Sequence, residues 1–108
     1  MFKEDCFFLG TIVKKYSFRG ELLIKLDTDS PKSYLNLDAV LIDESIGLVP
    51  YSITQTKLHK SRLLRVKFEG VNSESKAGEL INKNLFLPLD KLPKLKGLKE
   101  ILYPGENK

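Results

Sequence analysis

The chain has 108 residues, 42% of them hydrophobic and 30% charged, with a formal net charge of +4. That is room for one globular domain, neither disordered nor too small to fold without a covalent or metal brace. A single cysteine (Cys6) and a single histidine (His59) exclude an internal disulfide and any cysteine- or histidine-rich metal cluster.

Strand signals dominate in chain order. "CFFLGTIVK" and "ELLIKL" are apolar, rich in β-branched residues and separated by a short turn. "DAVLID" is a third run and "GLVPYSIT" a fourth, where Pro50 demands an edge position or a bulge. "LLRVKF" alternates: Leu64, Val66 and Phe68 face one way, Leu63, Arg65 and Lys67 the other, which predicts a core face and a largely cationic outer face. One helix is predicted within "VNSESKAGELINK", with Asn72 or Ser73 as cap, Glu74 in the first turn, and Ala77, Leu80 and Ile81 on one face. "NLFLPL" is the sixth strand. Six short strands with one short helix predict an all-β fold, a six-stranded antiparallel barrel whose closure removes exposed edges.

Charge is unevenly spread. Residues 1–54 hold six Lys/Arg against eight Asp/Glu, and residues 55–108 hold twelve against six. No apolar run approaches the roughly 20 residues of a membrane span, and "MFKEDCFF" lacks a signal peptide's apolar stretch, so a cytoplasmic protein is expected. Nucleotide-binding, metalloprotease and serine-hydrolase motifs are missing. Asp27 and Asp29 sit in "DTDSP", a turn sequence rather than a catalytic pair. Cys6 lies beside Phe7 and Phe8 as a small hydrophobe, and His59 in "KLHKSR" reads as a loop residue rather than a base.

Three basic stretches remain: "KKYSFR", "KLHKSRLLRVK" and "KLPKLKGLK". Lysine and arginine neutralise phosphates without reading sequence, while exposed aromatics stack on unpaired bases. The candidate binding residues are Lys14, Lys15, Tyr16, Phe18 and Arg19 in the first loop, with Lys57, Lys60, Arg62, Arg65 and Lys67 farther along. Of the two loop aromatics, Phe18 is expected to be the more buried and Tyr16 the more exposed. Gly20 is expected to hold a backbone conformation that a larger residue resists, and Glu21 to pair with a nearby cation.

The order of these segments resembles the N-terminal domain of the RimM family, bacterial factors for small-subunit ribosome maturation. "LGTIVKKYSFRGELLIK" matches that family's opening of Leu-Gly, an apolar strand, a basic or aromatic turn, Gly-Glu and a second strand. "VPYSI", "LLRVKFEGVNSESKAGELINKNLFLP" and "LDKLP" match later segments in the correct order, over about residues 5–97. A glycine is common in the family's first loop where this chain has Ser17.

The resemblance implies a barrel of the translation-factor/reductase type at residues 1–90 and a linker or tail at 91–108, the family's second, PRC-type barrel being absent from this sequence. It further implies a monomeric, non-enzymatic factor without cofactor, metal or membrane contact. Such a factor assists 30S assembly and 16S rRNA processing by binding the head of the immature small subunit. The partners implied are that subunit, its rRNA and a head ribosomal protein, the protein contact depending largely on the second barrel. The competing reading is a stand-alone RNA- or protein-binding barrel in translation. A flavin enzyme on a related barrel is disfavoured, because none of Arg19, Arg62 or Arg65 begins the Arg-x-Tyr-Ser/Thr pattern of those proteins.

Overall fold

The computed structural model describes residues 2–28, 31–60 and 62–91. Six strands carry the fold: β1 (Cys6–Lys15), β2 (Leu22–Leu26), β3 (Ala39–Glu44), β4 (Gly47–His59), β5 (Leu63–Phe68) and β6 (Asn84–Pro88). They close into an antiparallel barrel in the order β1-β2-β5-β4-β3-β6. The predicted architecture is the observed one. Proposals about the segment beyond Lys91, the expected linker and tail, lie outside the described residues.

Alternation explains the interior. Leu64, Val66 and Phe68 of β5 are buried, as are Ile12, Leu22, Ile24, Ile42 and Leu85 from four other strands. Closing six short strands needs strong local bending, and bulges supply it. The β1 register slips against β2 between Ile12 and Lys14, and against β6 between Phe8 and Gly10. Gly10 also lets two backbones meet: a Cβ there would lie 2.3 Å from the Lys25 carbonyl oxygen.

β4 is longer than the sequence suggests and changes partner midway. Residues 47–52 pair with β3, and residues from Ile53 to His59 pair with β5. The second half was hard to see because "TQTKLH" lacks apolar alternation, and its pairing with β5 is what keeps it extended. His59 is therefore a strand-end residue rather than a loop residue. Pro50 occupies the half of β4 that ladders only to β3, opposite Leu41, so its missing N–H breaks no second ladder.

α1 (Glu74–Gly78) is shorter than the predicted helix. Ser73 is the cap, accepting a hydrogen bond from the Lys76 N–H at 3.2 Å. After Gly78 the backbone tightens into three-residue turns, with Leu80 N–H donating to Ala77 O and Lys83 N–H to Leu80 O. Asn82 then reverses the chain with φ 72°. Ala77 and Leu80 stay buried and close one end of the barrel. Nearby, the Tyr51 hydroxyl donates to Glu44 Oε2 at 2.6 Å while Lys83 Nζ lies 3.2 Å from Glu44 Oε1. This links β4, β3 and the approach to β6.

Candidate nucleic-acid interface

The barrel's outer face is assembled by strand register. Lys14 on β1 pairs with Leu23 on β2, Leu23 with Arg65 on β5, and Arg65 with Lys57 on β4. Antiparallel partners at one register point to the same side of the sheet. Three cations from three strands thus form one outward row around Leu23, although they are up to 51 positions apart in sequence. Leu23 is only 2% exposed yet lies outside the interior cluster.

Tyr16 reaches across the same outer face. Its ring contacts His59 edge-on, with centroids 5.3 Å apart, and the Arg65 guanidinium lies 4.8 Å from its centroid. β2 separates β1 from β5 and β4, so a ring that reaches both partners must cross the outer face of β2, where Leu23 sits. Arg65 is also held by Glu21, Nε to Oε2 at 3.8 Å. Glu21 thus pairs with a cation as expected. The ion pair uses Nε, and a guanidinium carries four further N–H donors.

The two loop aromatics behave opposite to expectation. Phe18 is 83% exposed and Tyr16 43%. Tyr16 still continues the β1–β2 ladder, its N–H donating to Glu21 O at 2.8 Å, which aims the side chain across the sheet. Phe18 sits at the tip of the turn closed by Gly20 N–H to Ser17 O and by Arg19 N–H to Ser17 Oγ, and nothing there covers it. Ser17 thereby contributes a local hydrogen bond at the position where a glycine was anticipated.

Gly20 anchors this loop. It has φ 96°, and a Cβ would fall 2.3 Å from Val71 O and 3.1 Å from Ser73 N. The loop therefore rests directly on the turn between β5 and α1. Lys67 braces that turn from the other side: its Nζ donates to Val71 O and Asn72 Oδ1, each at 2.6 Å, and to Phe68 O at 3.3 Å. Three acceptors satisfy an ammonium's three donors, so Lys67 serves the turn. Together Arg19, Glu21, Thr54, Gln55 and Lys67 line a shallow polar hollow of about 330 Å³ beside the loop.

Lys15 is exposed at the end of β1. Lys60 and Arg62 lie at the opposite end of the face, in the β4–β5 turn, where Lys60 adopts φ 58° and Arg62 O accepts from the Leu26 N–H. The ten candidates thus divide into a loop cluster, a turn cluster and the row that joins them. Sequence reasoning missed His59 as a member of this surface, though its two-residue spacing from Lys57 in a strand was the available signal.

Other chemistry is sparse. Burial, with a smaller push from Asp5, raises the Cys6 thiol above its ordinary value, away from a reactive thiolate. Among the described residues no cluster of three His, Cys, Asp or Glu side chains could hold a metal ion, and no helix is long and apolar enough to cross a membrane.

Residues 7–92 match the family described as the RimM N-terminal domain. The chain belongs to the RimM family. It is 52% identical over 95 residues to the ribosome maturation factor RimM of Christiangramia forsetii, covering 88% of this chain and 54% of that protein. Against RimM of Flavobacterium johnsoniae the identity is 50% over 99 residues, covering 92% of this chain and 57% of that one. The chain therefore spans little more than half the length of these relatives. The fold is shared with the crystal structure of a 16S ribosomal RNA processing protein RimM from Pseudomonas aeruginosa, with TM-score 0.75, 22% identity and coverage of 85% of this chain and 56% of that one. It is shared also with the solution structure of the RimM N-terminal domain from Thermus thermophilus, with TM-score 0.65, 21% identity and coverage of 84% and 98%. Both relatives carry the name ribosome maturation factor.

Proposed function

We propose that this RimM domain assists 30S assembly and 16S rRNA processing by binding rRNA at the head of the immature small subunit, in the cytoplasm and as a monomer. The observation that carries this reading is the outward row of Lys14, Arg65 and Lys57, flanked by the Tyr16 ring and the exposed Phe18. Cations from three strands on a rigid sheet neutralise phosphates at fixed spacing, and aromatics beside them offer stacking faces to unpaired bases. No step of bond making or breaking is needed. Binding that favours a near-mature rRNA conformation, and is lost when the mature surface closes, shifts assembly forward by population alone. Contact with a head ribosomal protein is assigned to the remainder of the longer relatives.

The test is co-sedimentation with immature small subunits across a salt series. Wild-type binding should weaken steadily with log salt, each phosphate contact contributing a slope of about 0.7 to 0.9. Lys57→Gln with Arg65→Gln should flatten that slope by about 1 to 2 while the domain stays folded. An unchanged slope would mean that the row is ordinary solvated surface.

A further inference from the structure

The polar hollow beside the first loop belongs to the same outer face as the cationic row. Past the Arg65–Lys57 pair the ladder runs on to Lys67 opposite Gln55, two residues or about 7 Å farther along each strand. A bulge falls here: the β4 register slips between Ile53 and Gln55, so Thr54 is an extra residue. Bulges bend a strand and re-aim its side chains. Thr54 and Gln55 are accordingly both exposed and both line the hollow, where strict alternation would turn one of them inward. Arg19 and Glu21 line it from the loop that Gly20 anchors.

Two of these side chains have no partner. Among the described residues the Arg19 guanidinium and the Gln55 amide make no hydrogen bond or ion pair. Glu21 meets Arg65 only at 3.8 Å, longer than a hydrogen bond, so its carboxylate oxygens keep their acceptor sites. The Thr54 hydroxyl donates to Lys67 O at 3.1 Å and can only accept from a ligand. Lys67 has its three donors engaged by the turn and supplies charge alone. At about 330 Å³ the hollow is at the small end of the roughly 300–1,000 Å³ range of ligand sites, the scale of a single base.

We propose that this hollow takes one unpaired guanine of the RNA whose phosphates lie along the Lys14–Arg65–Lys57 row. Guanine presents two adjacent donors, N1–H and the N2 amino group, which match the two oxygens of the Glu21 carboxylate. Its other edge presents O6 and N7, the pair that a guanidinium fork reads, to Arg19. Adenine lacks the carbonyl oxygen and the ring N–H, and the pyrimidines lack N7 and the adjacent donors. Watson–Crick pairing occupies N1–H, so the hollow accepts the guanine only while it is unpaired. Pairing in the mature particle then releases it. The inference rests on the rRNA reading and adds a base identity to it. Phe18, exposed at the tip of the same turn, stacks on a neighbouring base of any kind.

The experiment measures binding of the 108-residue chain to short oligouridines with one central guanine, adenine or uracil, by fluorescence anisotropy across a salt series. The guanine oligonucleotide should bind about tenfold tighter than the adenine one, within the discrimination of one bidentate pair. Glu21→Gln, which replaces one acceptor by a donor, should bring that ratio close to one without lowering the salt slope. Arg19→Lys, an exposed change that keeps the charge and loses the planar fork, should also lower the ratio at an unchanged slope. Phe18→Ala should weaken all three oligonucleotides alike and leave the ratio as it was. A wild-type ratio below about twofold, or a tenfold ratio that survives both Glu21→Gln and Arg19→Lys, would overturn the proposal. If salt-dependent binding persists in that case, the rRNA reading stands without the guanine site. Absence of salt-dependent binding to every oligonucleotide would sink both.

Discussion

Replacing Gly20 with alanine tests the anchoring of the first loop more sharply than any deletion. The substitution adds one methyl group at φ 96°, where an L-residue costs about 1–2 kcal/mol. That methyl also meets backbone, 2.3 Å from Val71 O and 2.9 Å from Val71 C, so no side chain can rotate away to make room. The turn must move instead, and it is held by the Lys67 ammonium through two 2.6 Å hydrogen bonds. Adding about 1–2 kcal/mol for stretching those contacts gives a total near 3 kcal/mol. For a domain of this size that lowers the melting temperature by roughly 12–24 °C. Urea unfolding would give the free energy, and amide shifts at Val71 to Ser73 would locate the strain. A Gly20→Ala protein within about 0.5 kcal/mol of wild type, the range of ordinary surface changes, would refute the close approach.

Lys67→Met should cost about 1–3 kcal/mol in urea unfolding, because Val71 O and Asn72 Oδ1 lose their donor, and its effect should overlap with that of Gly20→Ala in the double variant. Phe18→Ala should leave stability within about 0.5 kcal/mol and weaken particle binding by about 1–3 kcal/mol, whereas Tyr16→Ala should lower both stability and binding. Equal behaviour of the two variants would contradict their different settings. The Tyr51–Glu44 bond predicts a two-sided pH profile. The Tyr51 hydrogen bond, helped by Lys83, holds the Glu44 carboxyl below its ordinary value, so its contribution is present above the unfolded carboxylate range and fades as pH falls through the lower folded value. The same bond pushes Tyr51 up to about 12, so its contribution is full below pH 10 and is lost as pH rises toward 12. Tyr51→Phe should flatten both limbs, measured by urea unfolding from pH 3 to 11.

What the sequence made legible was whatever depended on local pattern. The alternation of "LLRVKF" gave β5 with its inner and outer faces, and Pro50 pointed to an edge position or a bulge, of which the pairing of residues 47–52 with β3 alone is the first. Gly20 was readable as a position that a larger residue would resist, and its φ of 96° agrees. The second half of β4 was not readable, since Gln55, Thr56 and Lys57 become a strand only against β5. Helix length was overestimated because Ala77, Leu80 and Ile81 keep the same face whether the backbone closes four-residue or three-residue turns. The exchange of roles between Tyr16 and Phe18 was invisible for a similar reason. Tyr16 finds Arg65 and His59 only after β2 and β5 are paired, and the acceptors of Lys67 meet it only once the turn folds back.

The closure of the barrel has a consequence during synthesis. β1 lies between β2 and β6, and its bonds to β6 run from Cys6–Pro88 to Thr11–Asn84, nearly the full span of the fold. At a translation rate of about 5–20 residues per second, the first strand leaves the ribosome roughly 4–16 s before its last neighbour. Through that interval "CFFLGTIV" has β2 on one side and an open edge on the other, with Phe7 and Phe8 exposed on the nascent chain. The nascent chain therefore carries an unpaired apolar strand edge until β6 emerges, a surface prone to association with other chains.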